Sequence, residues 1–146
     1  MAARLQHVTE IGATPERVWA ALTDLQGWKS WNVTLTEPDG ALVVGSVVKM
    51  KLTMDKRSMP MRQKIIEVSP PSVLRWQSRF GPSWMFSVMR TFRIEQAGEG
   101  RSRLEQSEEG TGLLAGTIFR FTGPPTVRGY AAIAEGLDRH LSDRIG

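Results

Sequence analysis

Glu10–Asn32, EIGATPERVWAALTDLQGWKSWN, decides how the rest of the chain is read. It has the pattern of a strand end, a corner at Gly12-Ala13, a helix, and a second short helical turn carrying two tryptophans. Thr14 suits an N-cap, because its hydroxyl can accept from a free amide of the first turn. Pro15 suits the first helical position, where a missing N–H costs nothing, and Glu16 lies where the helix dipole favours an anion. Val18, Ala21, Leu22 and Leu25 recur at helical spacing and give one core-facing stripe. Asp24 is placed to cap the next turn, on which Trp28 and Trp31 stand three residues apart.

Outward from this unit the pattern changes to a period of two. Leu5–Ile11 has the length of a strand, and Val33–Glu37 reads as a short one closed by a Pro38-Asp39-Gly40 turn. Ser46–Met54 alternates, with Val48, Met50, Leu52 and Met54 on one face and Val47, Lys49, Lys51 and Thr53 on the other. A polar loop at Asp55–Ser58 leads to Met59–Val68, where Met61, Gln63 and Ile65 share a face. After the stiff break Ser69-Pro70-Pro71-Ser72, Val73–Phe80 sets Leu74, Trp76 and Phe80 against Arg75, Gln77 and Arg79. Gly81-Pro82 turns the chain into Trp84–Ile94, whose inward set is Trp84, Phe86, Val88, Arg90, Phe92 and Ile94. Gly98-Glu99-Gly100 fits a three-residue hairpin loop, and Arg101–Gly110 returns as the last strand. Leu113–Phe121 fits a strand extension or a helix start equally. Pro124-Pro125 then reads as the opening of a long helix reaching Arg144, with Val127, Tyr130 or Ala131, Ala134, Leu137 and Leu141 as its apolar stripe.

The expected fold class is therefore α+β, one domain over residues 1–146. About seven antiparallel strands curve around a long C-terminal helix, the only element long enough to cover the sheet's apolar face, and two short helices follow the first strand.

Composition removes several classes of chemistry. The 146 residues include no cysteine, which excludes disulfides, thiolate nucleophiles and thiolate-held metals. His7 and His140 stand at opposite ends of the sequence without ligand spacing, so no metal site is expected. No glycine loop has the strand–turn–helix context that cradles phosphate, no Gly-x-Ser-x-Gly elbow occurs, and no cofactor is expected. No run approaches the roughly 18 apolar residues of a membrane span, and the first residues lack a signal-peptide core, so a cytoplasmic location is expected. The formal charge of +4 raises anionic partners. Lys49, Lys51, Arg62, Lys64, Arg75 and Arg79 share the outer face of the middle strands, with no interleaved aromatic side chains. That argues against nucleic acid and leaves peripheral contact with an anionic membrane open.

The run Ile11, Ala13, Pro15, Glu16, Val18 and Trp19, followed by Asp24, Trp28 and Trp31, resembles the opening of the START-like, polyketide-cyclase/dehydrase-like (SRPBCC) superfamily. A second stretch, Gly100-Arg101-Ser102-Arg103-Leu104 with Glu108 and Gly112-Leu113-Leu114, is similar to that family's later motif, although Leu104 and Gly110 stand where aromatic residues are common. The resemblance implies a helix-grip fold with a cavity between sheet and helix. It implies a protein that binds a small hydrophobic or amphipathic ligand: a lipid, a polyketide or an aromatic compound. It equally admits a cyclase or dehydratase enzyme on the same scaffold, or an interaction protein like the heat-shock-protein ATPase activators, so whether the chain is an enzyme stays open.

The expected ligand wall is the inward face of the sheet: Met50, Leu52, Met61, Trp76, Trp84, Phe86 and Phe92. Gly129, Ala131, Ala132, Ala134 and Gly136 on the helix opposite would leave room. Methionines and tryptophans offer adaptable, flat surfaces to an irregular apolar molecule. If the hairpin loop is Gly98–Gly100, Ala97 faces Arg101, and counting back puts Arg90 opposite Glu108 and Phe92 opposite Gln106, all inward with Gln63 nearby. These polar groups either form a buried salt bridge that pins the strand register or orient a ligand oxygen, with Glu108 and Arg90 as the catalytic candidates if the protein is an enzyme. Trp28 and Trp31 either pack under the helical turn or rim the cavity, and Tyr130 either packs or aims its hydroxyl inward.

Overall fold

The computed structural model describes residues 3–54, 56–82 and 84–143. Asp55, expected in a hairpin loop, and Arg144, expected at the end of the last helix, lie outside them, as does the side chain of Met54. The chain runs β1 (Ala3–Ile11), α1 (Pro15–Thr23), a 3-10 turn (Leu25–Ser30), β2 (Leu35–Asp39), β3 (Val47–Met54), β4 (Arg57–Ser69), β5 (Val73–Arg79), β6 (Ser87–Gln96), β7 (Ser102–Thr111) and α2 (Ala115–Asp143). The seven strands form one antiparallel sheet in the order β1-β7-β6-β5-β4-β3-β2. This is an α+β helix grip, with α2 lying against the sheet.

The opening unit forms for the reasons its residues give. Thr14 is extended and its hydroxyl accepts from the Arg17 amide at 3.3 Å, with Pro15 at the first helical position. Asp24 makes no capping bond with its side chain. The turn that follows is held instead by Gly27 N–H to Asp24 C=O at 3.1 Å and by Trp28 Nε1, which donates to Leu22 C=O at 2.9 Å. The Gly12 amide donates to Asp138 Oδ1 on α2 at 3.1 Å, Arg17 Nη2 donates to Leu141 C=O at 3.0 Å, and Ser102 Oγ on β7 donates to Ala13 C=O at 2.7 Å. These contacts fasten the corner at Gly12-Ala13 to both layers.

Three boundaries differ from the sequence reading. Pro38-Asp39 does not turn the chain but belongs to β2, with Glu37 at φ 53° and a register shift between Thr36 and Asp39. β2 is an edge strand, where a proline's missing donor and a local bulge interrupt no further pairing. Strand β6 starts at Ser87 rather than Trp84, because the turn after β5 continues through Met85, whose amide donates to Pro82 C=O at 3.0 Å. Finally, Leu113–Phe121 resolves as helix: α2 begins at Ala115 and runs through Pro124-Pro125. Those prolines carry no N–H, so the carbonyls of Arg120 and Phe121 lose their usual acceptor roles within the helix. The corner before α2 depends on Gly112, at φ 105°, where an added Cβ would stand 2.5 Å from the Met85 carbonyl oxygen.

The apolar interior falls into two clusters. The larger joins Ile11, Val18, Leu22, Trp28, Trp31, Met50, Ile65, Leu74, Trp76, Phe92 and Leu104 to Ile133, Ala134, Leu137 and Leu141 of α2. The smaller holds Phe86, Val88, Ala115 and Phe119. Between them the helix stands off the sheet.

Candidate functional site

The gap is a cavity of about 260 Å³. Strands β3 to β7, the start of β2 and the turn before β6 supply one wall through Leu35, Leu52, Met61, Trp76, Phe86, Val88 and Glu108. The first half of α2 supplies the other through Ile118, Phe119, Thr122, Thr126, Gly129 and Tyr130. Helical spacing explains the second set: residues 118, 122, 126 and 129 recur on one face over three turns. The walls are mainly aliphatic and aromatic, as in most small-molecule sites, and the volume lies just below their usual range of ~300–1,000 Å³.

A polar cluster sits in the floor. Arg90 and Glu108 are register partners on β6 and β7, as are Phe92 and Gln106, and the hairpin loop closes with Ala97 N–H bonded to Arg101 C=O at 3.0 Å. Arg90 Nη1 donates to Glu108 Oε1 at 3.0 Å and Arg90 Nη2 to Gln106 Oε1 at 2.9 Å. Gln106 Nε2 in turn donates to the Tyr130 carbonyl at 2.8 Å, so the cluster ties both strands to α2. The guanidinium lies 4.7 Å from the centre of the Phe92 ring and 4.5 Å from that of Tyr130, an arrangement in which both ring faces stabilise the cation. The Arg90 side chain is 6% exposed and that of Glu108 16%, so the carboxylate keeps an open side toward the cavity.

Tyr130 is the unusual member. The residue is 1% exposed, lines the cavity, and its hydroxyl completes no hydrogen bond. Burial raises its pKa far above the ordinary value near 10, the Arg90 charge opposes that rise, and the neighbouring Glu108 carboxylate adds to it both as a charge and as an acceptor the phenol leans toward. The phenol therefore holds its proton. Gln63 and Ser78, neighbours on β4 and β5, bond to each other, with Ser78 Oγ donating to Gln63 Oε1. Both also line the cavity.

Of the residues expected to face a ligand, Leu52, Met61, Gln63, Trp76, Phe86, Arg90, Glu108 and Tyr130 come together around the cavity. The others do not. Trp84, expected on the inward face of β6, lies in the turn before it and is 63% exposed, because the strand that would have aimed it inward starts three residues later. Trp28 and Trp31 pack in the core rather than at a rim, their rings 6.2 Å apart and Trp28 6.4 Å from Trp76. Met50, Phe92 and Ala134 are sealed in the larger cluster, and Gln106 acts behind the wall through Arg90. The small residues of α2 also have another use: a side chain at Gly136 would collide with the Trp31 carbonyl oxygen, so this glycine lets helix and turn close up.

The sequence reading missed Thr34, Leu35, Met59 and Ser78, together with Ile118, Phe119, Thr122 and Thr126 of α2. The α2 set was legible as an apolar and threonine pattern at helical spacing, had Pro124-Pro125 not been taken for the helix start. Gly110, noted as a departure from the family's aromatic, is explained by Phe119: a Cβ at 110 would stand 2.9 Å from that ring, which occupies the space from the helix side. Among the described residues, no group of three or more His, Asp or Glu is arranged to hold a metal ion.

Solved structures share this architecture over nearly their whole length. The Zhui aromatase/cyclase from Streptomyces sp. R1128 superposes with a TM-score of 0.81 at 12% identity, covering 100% of this chain and 97% of that one. Norcoclaurine synthase from Thalictrum flavum, as a point mutant bound to a transition-state analogue, gives 0.72 at 17% identity, covering 100% and 98%. A protein from Arthrobacter aurescens gives 0.75 at 18% identity, covering 96% and 86%. At these identities the likeness establishes the fold. No curated protein matches the sequence significantly. The family model described as polyketide cyclase / dehydrase and lipid transport does match, over residues 2–141, and the chain belongs to that family.

Proposed function

We propose that the cavity binds a small, neutral, mostly apolar molecule of one or two rings that carries a hydroxyl or carbonyl oxygen. The observation that carries this reading is the Tyr130 hydroxyl, buried, protonated and short of full hydrogen-bond geometry with the Glu108 carboxylate it leans toward. A buried donor left unpaired costs about 1–3 kcal/mol, and a ligand oxygen accepting from it removes that cost. Glu108 supplies the complementary acceptor, so a phenol or an enol can accept from Tyr130 and donate to Glu108 at once. Arg90 already neutralises Glu108, which leaves no uncompensated cation to attract a carboxylate ligand. The size of the cavity favours fused rings over an extended acyl chain.

The same pair gives the enzymatic alternative its chemistry. With a carbonyl substrate, Tyr130 O–H would hydrogen-bond to the oxygen while Glu108 removes a proton from the adjacent carbon, giving an enolate. Its carbon attacks a second carbonyl of the substrate to close a ring, or its electrons expel a β-hydroxyl. In either case the proton on Glu108 goes to the oxygen that gains the charge, released as water in the second case. The chaperone-activator alternative anticipated a filled core, and the open cavity gives it no support.

The test is an NMR titration of the full chain with 2-naphthol, naphthalene and 2-naphthoate, together with native mass spectrometry of the protein as purified to weigh any natural occupant. We expect 2-naphthol to bind at least about tenfold more tightly than the other two, moving the resonances of Gln63, Trp76 and Tyr130, and to lose most of that margin in Tyr130→Phe. Equal binding of naphthalene and naphthol would overturn the role of the polar pair. Shifts confined to other residues would overturn the site.

A further inference from the structure

Four large apolar side chains stand in solvent at the cavity end of the molecule: Trp84 at 63% exposure, Leu113 at 78%, Leu114 at 40% and Phe121 at 75%. They belong to one surface. The Leu113 amide donates to Trp84 C=O at 2.9 Å and the Leu114 amide to Met85 C=O at 3.0 Å, which ties the corner before α2 to the turn before β6. Leu114 immediately precedes α2 and Phe121 lies in its second turn. Arg79, Ser87 and Thr111 are cross-strand partners at the ends of β5, β6 and β7, so these segments meet at one end of the sheet. From the same segments Phe80, Phe86, Ile118 and Phe119 line the cavity, and Met59 both lines it and is 43% exposed.

Charge singles out the same end. The stretches Lys56–Ile66, Val68–Ile94 and Gly110–Ala134, which contain these segments, hold no Asp or Glu. Lys56, Arg57, Arg79 and Arg120 within them are exposed. The acids that bound these stretches in sequence are Asp55, Glu67, Glu95, Glu109 and Glu135. Glu67 pairs with Arg75, and Glu109 lines a groove on the outer side of the sheet with Arg75 and Arg93. An exposed apolar patch marks a contact surface, and the cations beside it, which make no ion pair among the described residues, define what it contacts. A second copy in a two-fold contact would bring those cations against themselves. An anionic bilayer satisfies both features, because apolar side chains enter the headgroup–acyl boundary, where tryptophan is favoured, while cations meet lipid phosphates. No helix among the described residues is long and apolar enough to cross a membrane, so the contact is peripheral.

We propose that this end of the protein docks on anionic lipid bilayers through Trp84, Leu113, Leu114 and Phe121, with Lys56, Arg57, Arg79 and Arg120 facing the headgroups, and so sets the cavity mouth against the membrane. The docking is independent of which molecule the cavity holds.

The experiment is flotation of the full chain with vesicles of phosphatidylcholine alone and of phosphatidylcholine mixed with phosphatidylglycerol. Partitioning onto mixed vesicles should be at least about tenfold stronger and should weaken steeply with added salt. Trp84→Ser/Phe121→Ser should lower it by about tenfold or more with an unchanged melting temperature, since both side chains are exposed. Arg79→Gln/Arg120→Gln should lose the preference for anionic lipid. No flotation at any lipid concentration, equal flotation with both vesicle types, or wild-type binding by the Trp84/Phe121 variant would each overturn the proposal. A wild-type dimer that this variant converts to monomer would overturn it in favour of a contact between copies.

Discussion

Replacing Arg90 and Glu108 by methionine, singly and together, separates what the pair does for stability from what it does for a ligand. Arg90→Met leaves a carboxylate facing the cavity without its cation. For a fully buried pair this costs ~3–5 kcal/mol. Because the Glu108 side chain is 16% exposed, cavity water takes up part of the loss, and a value of about 3 kcal/mol follows. Glu108→Met strands the guanidinium, but Gln106 at 2.9 Å and the two ring faces remain, so about 2–3 kcal/mol is expected. In Arg90→Met/Glu108→Met the desolvation of both ions disappears and two flexible apolar side chains fill the space. What persists is the unpaired Gln106 Oε1, worth about 1–2 kcal/mol. The cycle should therefore close with a coupling of roughly 4 kcal/mol, read from urea unfolding, a denaturant that does not screen charge. If the double variant costs as much as the sum of the single ones, the ion pair is not the unit described here and the reasoning fails. The double variant should also stay folded while losing its preference for 2-naphthol over naphthalene, which assigns the pair to recognition.

Two further perturbations follow from the same geometry. Tyr130 is the chain's single tyrosine, and its pKa lies above the unfolded value near 10, so the native state keeps a proton that the unfolded state releases. Its contribution to stability is whole below that unfolded value and declines as pH rises above it, a decline Tyr130→Phe should remove; near-ultraviolet absorbance should show no tyrosinate in the folded protein around pH 11 and its appearance on unfolding. Gly136→Ala and Gly116→Ala should shift stability in opposite directions. At Gly116 nothing lies near an added Cβ and alanine should add up to about 1 kcal/mol, whereas at Gly136 the Trp31 carbonyl blocks it, and overpacking against backbone should exceed the helix-propensity gain by ~1–3 kcal/mol, lowering the melting temperature by roughly 3–10 °C.

The sheet half of the site was legible in the sequence because a strand has a period of two and a hairpin loop fixes its phase. Placing Gly98–Gly100 in the loop was enough to set Arg90 against Glu108 and Phe92 against Gln106, pairings the structure contains. A slip of one residue would have turned all four outward. The same rule carried too far at Trp84, where alternation continued in the sequence after pairing had stopped. Ser78 shares the inward face with Trp76 and Phe80, and was passed over only because attention went to large side chains. Trp28 and Trp31 could not be placed from spacing alone, since a helical turn that packs and one that gates a cavity have the same pattern; the Trp28 bond to Leu22 C=O decides between them.

The helix half was hidden by its prolines. Pro124-Pro125 reads locally as a helix start, but tertiary packing overrides the local preference: Ile118 and Phe119 bury against the sheet, with the Phe119 ring 5.8 Å from Phe86 and over the bare Gly110. Holding the chain helical through two prolines costs intrahelical hydrogen bonds at Arg120 and Phe121, and those residues sit at the exposed end of the cavity wall. Everything that faces a small molecule on the sheet side is pinned by strand register and by the Arg90 cluster. The opposing wall from Ile118 to Thr126 is pinned by side-chain packing, with a weakened hydrogen-bond ladder behind it. On the proposed function, recognition falls to the rigid floor, and the less firmly held wall is the first turns of α2, which carry Phe121 and follow directly on Leu114.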